Sequence, residues 1–134
     1  MSSEKSDSNF EMKLEVVMMP VTDIDRAIAF YVDQIGFHLD HDVRPSETVR
    51  VVQLTPPGSG CSIVMGTGLG EMSDMEPGLI RGLHLVVKDI EVARARLIES
   101  GVAIGEIMDM GGVLYAGFSD PDGNTWTFQQ LMRL

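Results

Sequence analysis

The stretch Val21-Thr22-Asp23-Ile24-Asp25-Arg26-Ala27-Ile28-Ala29-Phe30-Tyr31-Val32 returns later in the chain as Val87-Lys88-Asp89-Ile90-Glu91-Val92-Ala93-Arg94-Ala95-Arg96-Leu97-Ile98. Val, Asp, Ile and two Ala coincide at an offset of 66 residues, so one structural unit is used twice. Within each copy apolar residues recur at helical spacing: Ile24, Ala27, Ile28, Tyr31 and Ile35, then Ile90, Ala93, Leu97 and Ile98. Each copy is therefore expected to be an amphipathic helix. Asp23 and Asp89 stand at the two helix starts, where a short carboxylate accepts hydrogen bonds from unpaired backbone N–H groups. Capping, and not catalysis, is their expected role.

Outward from the helices the same order holds in both halves. An apolar run precedes each (Leu14 to Met19, Leu83 to Val87), and each closes on Gly36-Phe37 or Gly101-Val102, where a helix end favours glycine. Three runs of strand character follow: 37–43, 48–55 and 61–66 in the first half, 102–108, 113–118 and 124–131 in the second. Turns at Arg44-Pro45-Ser46, 56–60, Gly111-Gly112 and Asp120-Pro121-Asp122-Gly123 separate them. The unit is βαβββ. Module one spans 13–66, an acidic linker 67–79, and module two 80–131, forming one domain over 13–131. The Ser-rich segment 1–12 is expected to be a disordered tail. Whether 67–79 closes over a pocket is left open.

The 134 residues are 44% hydrophobic, enough for a core without disulfides or structural metal. No apolar run is long enough to cross a bilayer, and 1–12 lacks a signal-peptide core, so a cytoplasmic location is expected. A net charge of −10 repels phosphate backbones and disfavours nucleic acid as a partner. The lone cysteine, Cys61, lies in an apolar run without a basic neighbour and is expected to pack, not react.

Strand alternation sorts the faces. Trp126 and Phe128 should lie under a helix, with Thr125, Thr127 and Gln129 on the other side. Leu83 and Leu85 should likewise be opposed to Gly82, His84 and Val86. Arg50 and Gln53 fall on opposite faces of their strand, and the pattern does not say which is inward. His38, Asp40 and Asp42 are expected on one solvated face, opposite Leu39, His41 and Val43.

The signatures at 21–27, Phe30-Tyr31, Gly36-Phe37, 87–90 and Asp120-Pro121-Asp122-Gly123-Asn124, spread over about 13–131, resemble the vicinal oxygen chelate superfamily of glyoxalases, bleomycin-resistance proteins and extradiol dioxygenases. The resemblance implies an α+β fold. Two βαβββ modules would form a cupped mixed sheet with helices on the convex face, a ligand in the concavity, and a homodimer. It also implies that metal-using members place one His, Glu or Gln at each of four positions, here Val16, Val64, Gly82 and Thr127. These residues cannot form the expected divalent site, so no cofactor is expected, although a divalent metal is kept as a possibility.

What remains in the predicted cavity is His84 as a proton-transfer group and Tyr115 as a phenolic donor, the candidate catalytic pair. Gln129, Thr127, Gln53, Arg50, Met18, Val16, Val64 and Gly82 are the candidate ligand contacts. Ten methionines, among them Met18, Met65, Met108 and Met110, suit an adaptable apolar pocket. The first functional reading is a metal-independent isomerase, cyclase or lyase moving a proton beside a carbonyl of an apolar oxygenated metabolite. The alternatives are a drug- or metabolite-binding protein like those of the bleomycin-resistance branch, and a metal-dependent glyoxalase or dioxygenase.

Overall fold

The computed structural model describes residues 9–132. Of the expected tail, residues 1–8 lie outside the described residues. Among the described residues, strands β1 (Val16–Met18), β2 (His38–Val43), β3 (Arg50–Thr55) and β4 (Ser62–Thr67) form one sheet in the order β1-β4-β3-β2. Strands β5 (Leu83–Val86), β6 (Met108–Met110), β7 (Val113–Ser119) and β8 (Thr125–Gln130) form a second in the order β5-β8-β7-β6. In both, the first and last strands pair in parallel across a helix and the rest are antiparallel. The sequence repeat is therefore also a repeat of topology.

Helix α1 (Ile24–Ile28) is capped by Asp23, whose carboxylate accepts from the Arg26 N–H. It continues through Ala29–Gln34 with wider, π-helical turns, Ile35 N–H donating to Phe30 C=O at 3.1 Å. Helix α2 (Ile90–Glu99) is capped by Asp89, which accepts from Glu91 and Val92 N–H. Both carboxylates do the capping work expected of their positions.

One face of each sheet carries the apolar rows Val52 and Leu54, Ile63 and Met65, Ala116 and Phe118, Trp126 and Phe128. These pack with Ile24, Ala27, Phe30 and Tyr31 of the first helical segment and Ile90 and Leu97 of α2, in one cluster spanning both modules. At its centre the Tyr31 hydroxyl donates to Asp120 at 2.7 Å and accepts from Trp126 Nε1 at 2.9 Å. Asp120 also accepts from the N–H groups of Asp122 and Asn124 and from Asn124 Nδ2, which donates in addition to Pro20 C=O. The Asp-Pro-Asp-Gly-Asn turn thus ties β8 to the first module. This buried tie positions the two sheets.

Three expectations are corrected. The run 102–108 is not a strand along its length: Val102 turns into the core and Ile104 makes one isolated bridge to Phe118. Regular pairing begins only at Met108. There the two-residue turn Gly111-Gly112, both at positive φ, joins β6 to β7, as a tight hairpin requires. In β2 the pairing register shifts between Leu39 and His41, so Asp40 is an extra residue in a bulge. His38 and His41 consequently share the face of Thr55 and Gln53, while Asp42 turns to the Val52 side. Finally Arg50, a candidate ligand contact, is buried on the helix side. It donates to Asp25 of α1 at 2.9 Å and to both oxygens of Asp42 at 2.8 and 3.0 Å. A guanidinium so engaged fastens α1 to the sheet and is not available to a ligand on the opposite face.

Candidate functional site

The faces turned away from the helices carry the remaining candidates. On the second sheet, His84 of β5 stands opposite Thr127 of β8, which stands opposite Gly117 of β7. The next row is Val86, Gln129, Tyr115 and Met108. The His84 and Tyr115 rings meet nearly edge-on, with centroids 6.1 Å apart, and Gln129 Nε2 reaches the Tyr115 hydroxyl at 3.5 Å. Gly82 adds a backbone N–H that donates to Thr125 Oγ1 at 2.7 Å. On the first sheet, Met18, Val64, Gln53 and His41 form one row, and Val16, Ser62 and Thr55 lie beside it. Gln53 is thus the open-face residue of β3 and Arg50 the buried one.

His84 is exposed, and its Nδ1 lies 2.6 Å from the Gly82 carbonyl. A carbonyl can only accept, so Nδ1 carries a proton, and in the uncharged form of the ring Nε2 is the acceptor. Tyr115, Thr127 and Gln129 add neutral hydroxyl and amide groups. Around them Val86, Met108 and Met110 remain more than half exposed. The combination is apolar surface with directional, uncharged hydrogen-bonding groups, which suits recognition of a neutral or weakly polar molecule.

The titratable groups with displaced pKa values lie elsewhere. Burial, followed by the negative charge of Asp120, pushes the Tyr31 phenol far above its ordinary value. The hydrogen bonds from Arg50 hold the Asp42 carboxyl below the usual carboxylate range. Both belong to the scaffold.

The four positions at which metal-using relatives would supply ligands, Val16, Val64, Gly82 and Thr127, offer one hydroxyl among them. Such a donor set does not fit a divalent ion. Among the described residues no three His, Cys, Asp or Glu side chains cluster to hold one elsewhere.

The two open faces are not joined within the chain, because the sheets share no strand pairing among the described residues. One hollow, of about 570 Å³, runs between the ends of the helices and the second sheet, lined by Gln34, Phe37, Leu97 and Phe128 and bordered by His84 and Val86. Another, of about 560 Å³, is lined by Phe30, Phe118 and Trp126 and reaches Thr127. The linker, with a short 3₁₀ turn at Gly70–Asp74, seats Met72 and Met75 against Met18 around a pocket of about 100 Å³. Sequence reasoning missed the placement of His41, since a bulge leaves no compositional mark.

A family model described as Glyoxalase/Bleomycin resistance protein/Dioxygenase superfamily matches residues 13–128. Among solved structures, the chain is 35% identical to TnmS3, an antibiotic binding protein from Streptomyces sp. CB03234, covering 90% of this chain and 96% of that one with a TM-score of 0.77. It is 36% identical to a glyoxalase/bleomycin resistance protein from the same organism, covering 88% and 100%, TM-score 0.75. A superfamily member from Sphaerobacter thermophilus DSM 20745 is 28% identical, covering 91% and 99%, TM-score 0.78. No curated protein matches the chain.

Proposed function

The chain belongs to the glyoxalase/bleomycin resistance protein/dioxygenase superfamily, and from that membership we propose that it is a metal-independent binding protein for a small, largely apolar, antibiotic-like molecule. The observation that carries this reading is the composition of the open face around His84. An imidazole nitrogen, a phenol, an amide and a hydroxyl stand among Val and Met side chains, and among the described residues no carboxylate is paired to the imidazole. Such groups orient a ligand by hydrogen bonds while thioethers adapt to its shape. Proton transfer would call for a matched acid and base, for which His84 and Tyr115 are the available pair. Their ring contact keeps the isomerase, cyclase or lyase reading as the second one. The similarity to an antibiotic binding protein favours capture over conversion.

In this proposal the ligand lies in a cup walled by the open face of the second sheet of one copy and the open face of the first sheet of another. Met18, Val16, Val64 and Gln53 line one wall; His84, Gly82, Thr127, Gln129 and Tyr115 line the other. A cytoplasmic homodimer without nucleic-acid partners accords with the acidic charge and with the absence, among the described residues, of a helix long and apolar enough to cross a membrane.

The test is titration calorimetry of the full chain against a panel of aromatic and peptide antibiotics, with mass spectrometry of the recovered ligand. Saturable binding of an unchanged ligand, insensitive to EDTA and weakened about tenfold by His84→Ala or Tyr115→Phe, is expected, as loss of one directional hydrogen bond implies. A product whose formation depends on His84, or binding that EDTA abolishes and a divalent metal restores, would overturn the proposal.

A further inference from the structure

On the open face of the first sheet, Val16, Ser62, Thr55 and His38 form the row next to Met18, Val64, Gln53 and His41. The bulge in β2 brings the Asp40 carboxylate to this row, where Oδ2 accepts from the Thr55 hydroxyl. Thr55 Oγ1 and Ser62 Oγ stand 2.6 Å apart. A carboxylate only accepts, and Thr55 has one hydroxyl hydrogen to give, so Ser62 is the donor to Thr55. The hydrogen bonds therefore run one way, from Ser62 through Thr55 to Asp40. With both hydroxyl hydrogens committed, the row offers lone pairs and a negative charge. That charge has no fixed counterpart. Asp42, two residues on, spends both oxygens on the Arg50 guanidinium. Asp40 Oδ1 has no hydrogen-bond donor among the described residues: His38 Nε2 stands 3.8 Å away, beyond hydrogen-bond reach, on a side chain 77% exposed. The Asp40 side chain is itself 24% exposed, a carboxylate held in place yet open to solvent. Holding it costs side-chain freedom that a group serving only to hydrate the surface would keep.

We propose that Asp40, held by Thr55 and Ser62, is the subsite for a protonated amine on the ligand. An ammonium group has hydrogens to give and no lone pair to offer, the complement of a row whose own hydrogens are spent. Beside it Val16, Val64 and Met18 supply apolar surface for the rest of the molecule. A carboxylate or phosphate group would meet Asp40 as a like charge, on a chain of net charge −10. The neutral groups around His84 leave the sign of the ligand open, so Asp40 is the residue that sets it. Thr55 and Ser62 are positioning residues: Thr55 holds the carboxylate, and Ser62 fixes the direction of the Thr55 hydroxyl.

The inference rests on the binding reading proposed above, and matched probes make the two fail separately. Naphthylmethylamine, its N-acetyl derivative and naphthoate share one apolar body and differ in charge; each is titrated into the full chain and followed by protein NMR. The amine should bind at least about tenfold more tightly than its uncharged amide, shifting the signals of Asp40 and Thr55, and the carboxylate more weakly than either. Asp40→Asn should bring amine and amide within about twofold of each other at unchanged circular dichroism. Thr55→Val should lose most of the preference and Thr55→Ser, which keeps the hydroxyl, should retain it. Glu71→Gln removes a charge from the linker and should leave the preference intact. Equal binding of amine and amide by the parent, a preference that survives Asp40→Asn, or one that Glu71→Gln removes as completely, overturns the inference and leaves the binding reading standing. If none of the three probes binds saturably the inference also falls, and the binding reading is decided by the antibiotic panel alone.

Discussion

Replacing Tyr31 by Phe tests the buried tie between the modules most directly. The side chain is fully buried, and the change removes one oxygen without altering the ring contacts to Phe30, Phe37 and Trp126. Asp120 would lose one of its four hydrogen bonds, keeping those from Asp122 N–H, Asn124 N–H and Asn124 Nδ2 at 2.8 to 2.9 Å. Trp126 Nε1 would lose its acceptor. A hydrogen bond to a carboxylate contributes about 1.5–3 kcal/mol and a stranded buried donor costs about 1–3. The two overlap in one oxygen atom, so the net loss should be about 3 kcal/mol. For a domain of this size that lowers the melting temperature by roughly 10 °C. Urea unfolding followed by fluorescence reads it cleanly, because Trp126 is the sole tryptophan and sits at the perturbed site. A loss below about 0.5 kcal/mol at unchanged m-value would show that the tie does not carry the coupling assigned to it. Adding Trp126→Phe removes the stranded donor, so the double substitution should cost less than the sum of the two singles.

The remaining predictions concern pH, charge and space. The raised Tyr31 pKa means that the folded chain keeps a proton the unfolded chain releases above about pH 10. Stability should therefore fall as pH rises past that point, and the fall should be shallower in Tyr31→Phe when alkaline unfolding curves are compared. Arg50→Met should lose about 1–2 kcal/mol with ligand affinity unchanged, since its partners Asp25 and Asp42 lie on the helix side. A large loss of affinity at preserved fold, measured by calorimetry, would return Arg50 to the binding face. Because Asp42 has a lowered folded pKa, its contribution is present above about pH 4 and lost as pH falls, so Arg50→Met should flatten acid unfolding between about pH 5 and 3. Gly66→Ala should cost about 2–3 kcal/mol in urea unfolding, because a Cβ there would stand 2.2 Å from the Arg50 carbonyl oxygen across the β3–β4 pair.

Much of the scaffold was legible in the linear pattern because the signals are local. Helical spacing, Asp at the helix starts and Gly at the helix ends place α1 and α2 within a residue or two of where they form. The alternation Thr125, Trp126, Thr127, Phe128, Gln129 correctly divides β8 into buried and open faces. Reading failed where the outcome depended on something not local. The bulge at Asp40 reverses the side-chain alternation beyond it without any residue that announces it. Arg50 turns inward because Asp25, 25 residues away in the chain, and Asp42 meet it there, and only together do they satisfy a buried guanidinium. Val102 to Ile107 has strand composition yet lacks the continuous partner that would make it one.

By itself, then, the sequence determined two copies of βαβββ, their caps and turns, the apolar face of most strands, and the lack of metal-ligating side chains at the four expected positions. The repeat, caps, turns and faces follow from residue chemistry and spacing; the four expected positions follow from the resemblance to the family. The tertiary structure decided which face of β3 is open, that the Gly82 carbonyl meets His84 Nδ1, and how Tyr31, Asp120, Asn124 and Trp126 join the modules. Those outcomes depend on which distant group arrives to accept a proton or exclude water. Only folding brings these groups together.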